Sequence, residues 1–239
     1  MNDELRELWV YLAAKPLTAL ALTLAAYVVA YAVYERARFH SLANPVLLAV
    51  AAISAVLLAA GIPYRSYFEG AQFIHFLLGP ATVALAIPIH RELRAMRAHA
   101  VRLSALLIVG SVVAVALSVA AGRLLGASTA LLASLAPKSV TAPVAMGITE
   151  KLGGYASLTA VVTLLTGITG ATLGPLVLNW ARVTDMRARG FAMGLASHGI
   201  GTARAMQVDR EAGAYAGLAM GLNAVATALY LPWLWRWLH

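Results

Sequence analysis

The sequence contains no cysteine and very little charge. Its 239 residues are 61% hydrophobic and 12% charged, about half the charged share of a typical soluble protein. The absence of cysteine excludes disulfides, thiolate metal sites and cysteine nucleophiles. The scarcity of charge leaves no room for a large soluble domain, so the composition predicts a polytopic membrane protein.

Acidic residues are scarcer than basic ones, with 10 Asp and Glu against 18 Lys and Arg. The arginines cluster in short loops between apolar runs, which is typical of a positive-inside bias and not of nucleic-acid binding. The histidines are scattered and no nucleotide-binding motif is present, so we expect no cofactor. Ser197 and His198 are adjacent and would point about 100° apart on a helix, which is not a catalytic arrangement. We therefore expect no enzymatic activity.

Apolar runs of about 20 residues predict helices that cross a membrane, not β-strands. Residues 1–15 resemble an interfacial helix, and we interpret the run that follows as a true span and not as a removed signal. We expect an all-α protein with about seven transmembrane helices, the sixth of them short, glycine-rich and polar. The corresponding runs are residues 16–34, 41–64, 70–89, 103–122, 155–181, 190–206 and 212–235.

One further apolar run, residues 124–149, carries a single charge. Pro137 and Pro143 flank Lys138 there, and two prolines disfavour a straight helix. Broken backbone survives in hydrocarbon only when it is buried in protein or lines a wet cavity. The alternative is a kinked helix whose lysine snorkels to the interface.

The arginine clusters at residues 36–38, 91–102 and 182–189 can all face one side only if one of the three apolar runs between the last two clusters enters and leaves on the same side. Residues 124–149 are the candidate, because their paired prolines permit two half-helices. We therefore expect a re-entrant hairpin of two half-helices in this run. Eight plain spans remain the alternative.

A short internal match indicates a duplicated plan. Residues 78–83 align with residues 135–140, pairing Pro80 with Pro137 and Thr82 with Ser139. Broken helices at matching places in two halves are typical of transporters. We expect one domain, residues 1–239, with inverted repeat halves at 16–98 and 99–239, although six matching residues also arise by chance.

Residues 194–204 form another polar stretch. It combines hydroxyls, glycines and two basic side chains, namely Ser197, His198, Gly199, Gly201, Thr202 and Arg204. Alone, His198 is most simply a hydrogen-bonded packing residue, and Arg204 a helix-end residue at the interface. Together with Lys138, however, they are cations in runs that hold no acidic residue. Buried cations attract an anion, so we expect a small anionic substrate.

Three strings carry a resemblance to a known family: GPATVALA at 79–86, PKSVTAP at 137–143 and SHGIGTAR at 197–204. They resemble the signature strings of the LrgB/CidB family, over essentially the whole chain. The resemblance implies either transport of small acids, as in the family's plastidal glycolate/glycerate translocator and its pyruvate-handling members, or a holin/antiholin-like effect on murein hydrolases and autolysis. It also implies a small LrgA/CidA-type membrane partner. Ala142 stands where the family commonly has a second threonine, which leaves the substrate less defined.

We therefore expect a gradient-coupled carrier of small monocarboxylates in the bacterial cytoplasmic membrane, with the holin/antiholin-like function as the alternative. The expected substrate-binding residues lie near the membrane midplane: Pro80, Thr82, Lys138, Ser139, Thr141, Ser197, His198, Gly199, Gly201, Thr202 and Arg204. Glycines four apart, as at 170/174, 190/194 and 213/217/221, predict close helix packing. That packing could serve a homo-oligomer or the fold of one chain.

Overall fold

A computed structural model describes residues 16–40, 43–77, 80, 87, 90, 94 and 96–238. The chain forms two compact units, Met1–Ala84 and Leu85–His239. The described residues contain nine helices and no strand, which confirms the all-α expectation. The expected interfacial helix at residues 1–15 lies outside the described residues.

The first unit contains α1 Pro16–Arg36, α2 Pro45–Ala60 and α3 Tyr64–Phe76. Helix α1 packs against both of the others, and the hydroxyls of Thr23 and Tyr67 share a 2.7 Å hydrogen bond. Helix α2 begins after Asn44, whose side chain accepts from two backbone amides, and ends at Gly61 with a φ of 65°, a conformation that favours glycine.

The second unit is built on three long helices, α4 Ala100–Leu124, α7 Ala156–Trp180 and α9 Arg210–Leu238. Together with α1, these are the four described helices that are long and apolar enough to cross a membrane. Helices α4 and α9 run in the same direction, because Leu107 shares one apolar cluster with Tyr215 and Val119 shares another with Trp235. Helix α7 begins near the end of α4 and runs against both. The four long helices correspond to four of the seven expected runs, and the count of about seven spans is not confirmed.

The run at 124–149 contains the expected broken helix. Helix α5 Thr129–Leu135 and helix α6 Ala142–Leu152 are joined by a non-helical segment, residues 136–141. At about 1.5 Å per residue, neither helix can cross about 30 Å of hydrocarbon. We call residues 129–152 hairpin 1, with α5 and α6 as its arms and residues 136–141 as its tip.

Hairpin 1 enters and leaves the unit at one end. Ser118 on α4 donates a 2.9 Å hydrogen bond to the carbonyl of Leu135, so α5 runs back along α4. Ser134 on α5 accepts a 2.8 Å bond from the backbone amide of Tyr155, where α7 begins. The end of α4 and the start of α7 therefore lie at the same end of the unit, beside Arg123 and Lys151.

A second hairpin occupies residues 186–208. These residues form α8 Met186–Val208, but Ser197 (φ −127°, ψ 16°) and His198 (φ 41°, ψ −134°) interrupt the helix. A Cβ added at Gly201 would overlap the carbonyl oxygen of Met193. This close approach shows that the backbone folds back sharply. Met193 and Ala205 share one apolar cluster. We call this segment hairpin 2, with arms 186–196 and 199–208 and its tip at residues 197–198.

Hairpin 2 enters from the other end of the unit. Its first arm begins after α7 ends, and Arg187 pairs with Glu211 at the start of α9. Arg102, Arg182 and Arg187 all lie at this arginine-rich end, as the re-entrant interpretation of residues 124–149 requires. The short polar run at residues 190–206 was expected to be the sixth span. It is not a simple span, because it makes up most of hairpin 2, which folds back on itself.

The second unit thus repeats a helix followed by a hairpin, first in residues 100–152 and then, inverted, in residues 156–208. This repeat lies within one unit and differs from the proposed halves at 16–98 and 99–239, which stay a prediction. The string at 78–83, whose match suggested those halves, lies largely outside the described residues.

The glycine repeats serve packing inside the chain. A Cβ at Gly190 or Gly194 would overlap the backbone of α9 at Ala212 or Ala216, and one at Gly170 would overlap the side chain of Ser197. Such contacts let helix backbones approach closely. Gly221 differs, because nothing lies within 4 Å of an added Cβ there.

Candidate functional site

The tips of the two hairpins meet at one buried side chain, Asn223 on α9. Its amide nitrogen donates to the carbonyl of Ser139 in the tip of hairpin 1 at 3.4 Å. The same nitrogen donates to the carbonyl of Leu195, just before the tip of hairpin 2, at 3.1 Å. Asn223 is 1% exposed. The predicted polar breaks of residues 137–143 and 197–204 are therefore brought together in the interior of the second unit.

A chain of buried hydroxyls holds this amide. Thr227 donates a 3.2 Å hydrogen bond to Oδ1 of Asn223, and the hydroxyl of Ser111 lies 3.0 Å from that of Thr227. Ser111 also lies 2.9 Å from the hydroxyl of Tyr230. Because Oδ1 accepts from Thr227, the NH₂ group faces the two carbonyls.

The tip of hairpin 1 presents Lys138 and Thr141. Lys138 is half-buried, and within the described part of the chain no ion pair joins it to a carboxylate. Thr141 is the N-cap residue of α6, but its side chain makes no capping hydrogen bond. Ser139 is buried and contributes its carbonyl to the contact with Asn223.

The tip of hairpin 2 packs on α7. Nε2 of His198 lies 2.9 Å from the carbonyl of Thr163, which can only accept, so the imidazole donates from Nε2. Thr202 donates a 2.8 Å bond to the carbonyl of His198. A φ of 41° is uncommon for any residue but glycine, so the chain holds a strained residue at the tip. The packing role considered for His198 is present in the structure.

The two glycines that follow the tip of hairpin 2 have different surroundings. Gly201 touches the first arm of its own hairpin, whereas Gly199 is exposed, and only the sulfur of Met220 lies near a Cβ added there, at 3.8 Å. Ser197 is buried against Gly170 of α7. These contacts place the break itself in the core of the unit.

Arg204 lies away from the tips, between the arms of hairpin 2. It lines a small cavity beside Arg189, with apolar walls that include Met193, Leu178 and Val208. At the same end of hairpin 2, Glu211 raises the pKa of Arg187, mainly through the hydrogen bond between the two side chains. Arg204 therefore belongs to the arginine-rich end of hairpin 2 and not to the group around Asn223.

The helix ends at the tips are electrostatically unequal. The first arms end there with carbonyls, and protein donors satisfy two of these: Ser118 bonds Leu135 and Asn223 bonds Leu195. The second arms begin there with backbone amides, at Thr141 and at His198. A helix N-terminus carries about half a positive charge. Both tips therefore offer positive potential, and Lys138 adds a charge at the tip of hairpin 1.

Two expected site residues belong to the other unit. Pro80 is helical and exposed, and Thr82 lies outside the described residues. Their predicted place near Lys138 stays a prediction.

Sequence reasoning missed the polar residues of the long helices, Ser111, Asn223 and Thr227. A signal was available, because Asn223 and Thr227 are four residues apart and share one face of an otherwise apolar span. A polar residue within a span usually faces the protein interior and finds a partner there.

Comparison with known proteins places the chain in a family. The model of the LrgB-like family matches residues 23–237. The chain belongs to the LrgB-like family. It is 34% identical to the uncharacterized protein YwbG of Bacillus subtilis, over 91% of this chain and 96% of that protein. It is 31% identical to the holin-like protein CidB of Staphylococcus epidermidis, over 88% of this chain and 92% of that protein.

A second CidB, from Staphylococcus aureus, is 32% identical over 79% of this chain and 82% of its own length. No solved structure matches the chain. The family resemblance expected from the three strings is thus confirmed, and with it an integral membrane protein.

Proposed function

We propose that this protein is a secondary carrier of small monocarboxylates of the glycolate, glycerate, pyruvate or lactate type. The observation that supports this most is that Asn223 contacts both hairpins at or next to their tips, since a half-helix begins at each tip and Lys138 lies in the first. Half-helices whose N-termini face an anionic substrate group at mid-depth are a recurring transporter arrangement.

The charge balance favours an anion. The carbonyl ends of the first arms already have protein donors in Ser118 and Asn223, whereas Lys138 has no carboxylate partner among the described residues. A carboxylate bound there would neutralise a charge that is costly to bury.

The chemistry around the tips suits a small polar substrate. Ser139 and Thr141 carry hydroxyls in the tip of hairpin 1, and Thr202 carries one in the second arm of hairpin 2. Opposed hairpins also suit a carrier, because each can open towards its own end. The cytoplasmic membrane of a bacterium, a small LrgA/CidA-type partner and a homo-oligomer are part of this proposal.

A second candidate is a holin-like function, which the names of the CidB relatives favour. Such a function requires an opening far larger than a carboxylic acid. Dye leakage and saturable acid uptake therefore separate the two candidates.

The test is uptake of labelled glycolate, pyruvate and lactate into sealed liposomes that contain the purified protein, under an imposed pH gradient. We expect saturable uptake that unlabelled acid competes away. A charge-assisted hydrogen bond contributes about 1.5–3 kcal/mol, so Lys138→Gln should raise KM about 10- to 100-fold. Leakage of large dyes without saturable uptake would favour the holin-like function.

Lys151→Gln is the matched control, since Lys151 is an exposed lysine at the end of hairpin 1. It should transport as the unaltered protein does. Equal KM values for the Lys138 and Lys151 variants would contradict a role for Lys138 in binding.

A further inference from the structure

The contacts of Asn223 are unusual because they join segments that enter the unit from opposite ends. Ser139 belongs to hairpin 1 and Leu195 to hairpin 2, and the carbonyl oxygens of both lie within reach of one amide nitrogen, at 3.4 Å and 3.1 Å. Asn223 lies on α9, which is remote in sequence from hairpin 1 and follows hairpin 2 after Asp209. The side chain therefore bridges three separate segments.

Both carbonyls need a donor from outside their own hairpin arms. The helical partner of the Leu195 carbonyl would be the amide of Gly199, but the break at residues 197–198 removes that geometry. The Ser139 carbonyl lies in the non-helical tip of hairpin 1. A buried carbonyl without a donor is costly. Asn223 therefore supplies a donor to two carbonyls that the breaks leave without a helical partner.

The orientation of the Asn223 amide is fixed by a hydrogen bond to its oxygen. Oδ1 accepts from Thr227, and Thr227 is linked through Ser111 to α4. Asn223, Thr227 and Ser111 are each 1% exposed. An amide held at its oxygen presents both N–H groups in a fixed direction, towards the two tips.

We infer that Asn223 is a positioning residue that sets the separation of the two hairpin tips, and thereby the geometry of the substrate site between them. The inference rests on the proposed function for its kinetic consequence, but the separation itself can be measured without transport.

The test uses Asn223→Asp and Asn223→Leu, which both remove the paired donors. The chain has no cysteine, so Gly147→Cys on hairpin 1 and Ala203→Cys on hairpin 2 can carry spin labels for pulsed distance measurements. Both positions are exposed, and a Cβ at Gly147 meets no atom within 4 Å. We expect a longer and broader distance distribution in both Asn223 variants.

Uptake kinetics give the second readout. Loss of tip positioning should raise KM about tenfold or more, the effect of leaving a buried hydrogen-bonding group without its partner, while Vmax per folded protein changes less. A residue that only stabilises the fold would lower the amount of folded protein and leave KM unchanged.

Two further variants serve as a milder test and as a control. Thr227→Val keeps Asn223 but frees its orientation, and should cause a smaller shift of the same kind if the Asn223 variants do not fold. Asn179→Asp is the control, since Asn179 is exposed near the end of α7.

Unchanged distances and KM in folded Asn223 or Thr227 variants would overturn the inference. If unaltered protein shows no saturable acid uptake but its tip distance still depends on Asn223, the positioning role stands and the proposed transport function fails.

Discussion

The two hairpins differ in how they are attached to the long helices. Hairpin 1 is attached by hydroxyl hydrogen bonds: Thr159 donates to the carbonyl of Ser134 at 2.9 Å, and its hydroxyl lies 2.8 Å from that of Thr149. Hairpin 2 is attached mainly by close backbone packing at glycines, including Gly190 and Gly194. Hairpin 2 also has directional bonds, at His198 and Leu195, but its arms lie against α9 through these close backbone contacts.

The largest effect should come from filling the glycine face of hairpin 2. Gly194→Leu places a side chain where the backbone of α9 at Ala216 already lies, and backbone cannot move aside as a flexible side chain can. We expect almost no folded protein, as measured by size-exclusion chromatography in mild detergent.

Gly147→Ala on hairpin 1 is the matched control for that change, because its added Cβ meets nothing within 4 Å. It should fold normally and gain up to about 1 kcal/mol from helix propensity. Equal yields of the two variants would show that glycine packing does not hold hairpin 2.

A smaller loss should follow from removing a hydroxyl that holds hairpin 1. Ser134→Ala leaves the amide of Tyr155 without its acceptor, which should cost about 1–3 kcal/mol. Thermal unfolding in detergent measures it. Thr166→Val is the control, since the Thr166 hydroxyl bonds the carbonyl of Val162 on its own helix; a loss as large as that of Ser134→Ala would argue against a special role for the hairpin 1 contacts.

A gain in stability is expected at one buried hydroxyl of α7. The buried hydroxyl of Thr172 has no hydrogen-bond partner among the described residues. Thr172→Val keeps the shape and removes the unsatisfied group, so the melting temperature should rise, by the equivalent of about 1 kcal/mol. A lower melting temperature would show that the hydroxyl is satisfied in the protein.

The smallest effect should come from the ion pair at the base of hairpin 2. Arg187 and Glu211 are partly exposed, and exposed pairs contribute little to stability. Glu211→Gln should therefore leave the melting temperature almost unchanged at physiological salt, which the same thermal assay can check. A large loss would show that charge, in addition to glycine packing, fixes hairpin 2.

The contrast also explains what the sequence could predict. Hairpin 1 was predictable because Pro137, Pro143 and Lys138 interrupt a long apolar run, and proline leaves a strong local signal. Hairpin 2 has no proline at its break, and its strained residue is His198 instead of the adjacent Gly199. The fold-back therefore left little trace in residue type.

The positions of the arginines also carry a signal for hairpin 2. Residues 190–206 lie between Arg189 and Arg210, and placing both arginines on one side requires a segment that enters and leaves on that side. The arginine clusters that pointed to a hairpin at residues 124–149 therefore point to a second one here.

The sequence indicated the two breaks that form the candidate site, but not Asn223, the residue that contacts both hairpins. The breaks at Lys138 and His198 were visible as polar strings in apolar surroundings. Asn223 bonds backbone carbonyls that only the breaks make available. No side-chain pattern identifies such partners, since every residue has a carbonyl.

The opposed arrangement of the hairpins is tested most directly by labelling single cysteines in sealed vesicles with an impermeant reagent. The positions are Arg123→Cys and Lys151→Cys at the ends of α4 and α6, and Arg182→Cys and Arg210→Cys around hairpin 2; all four residues are exposed. We expect positions 123 and 151 to label from one side of the membrane and positions 182 and 210 from the other. Labelling of 123 and 151, or of 182 and 210, from opposite sides would contradict the two opposed hairpins.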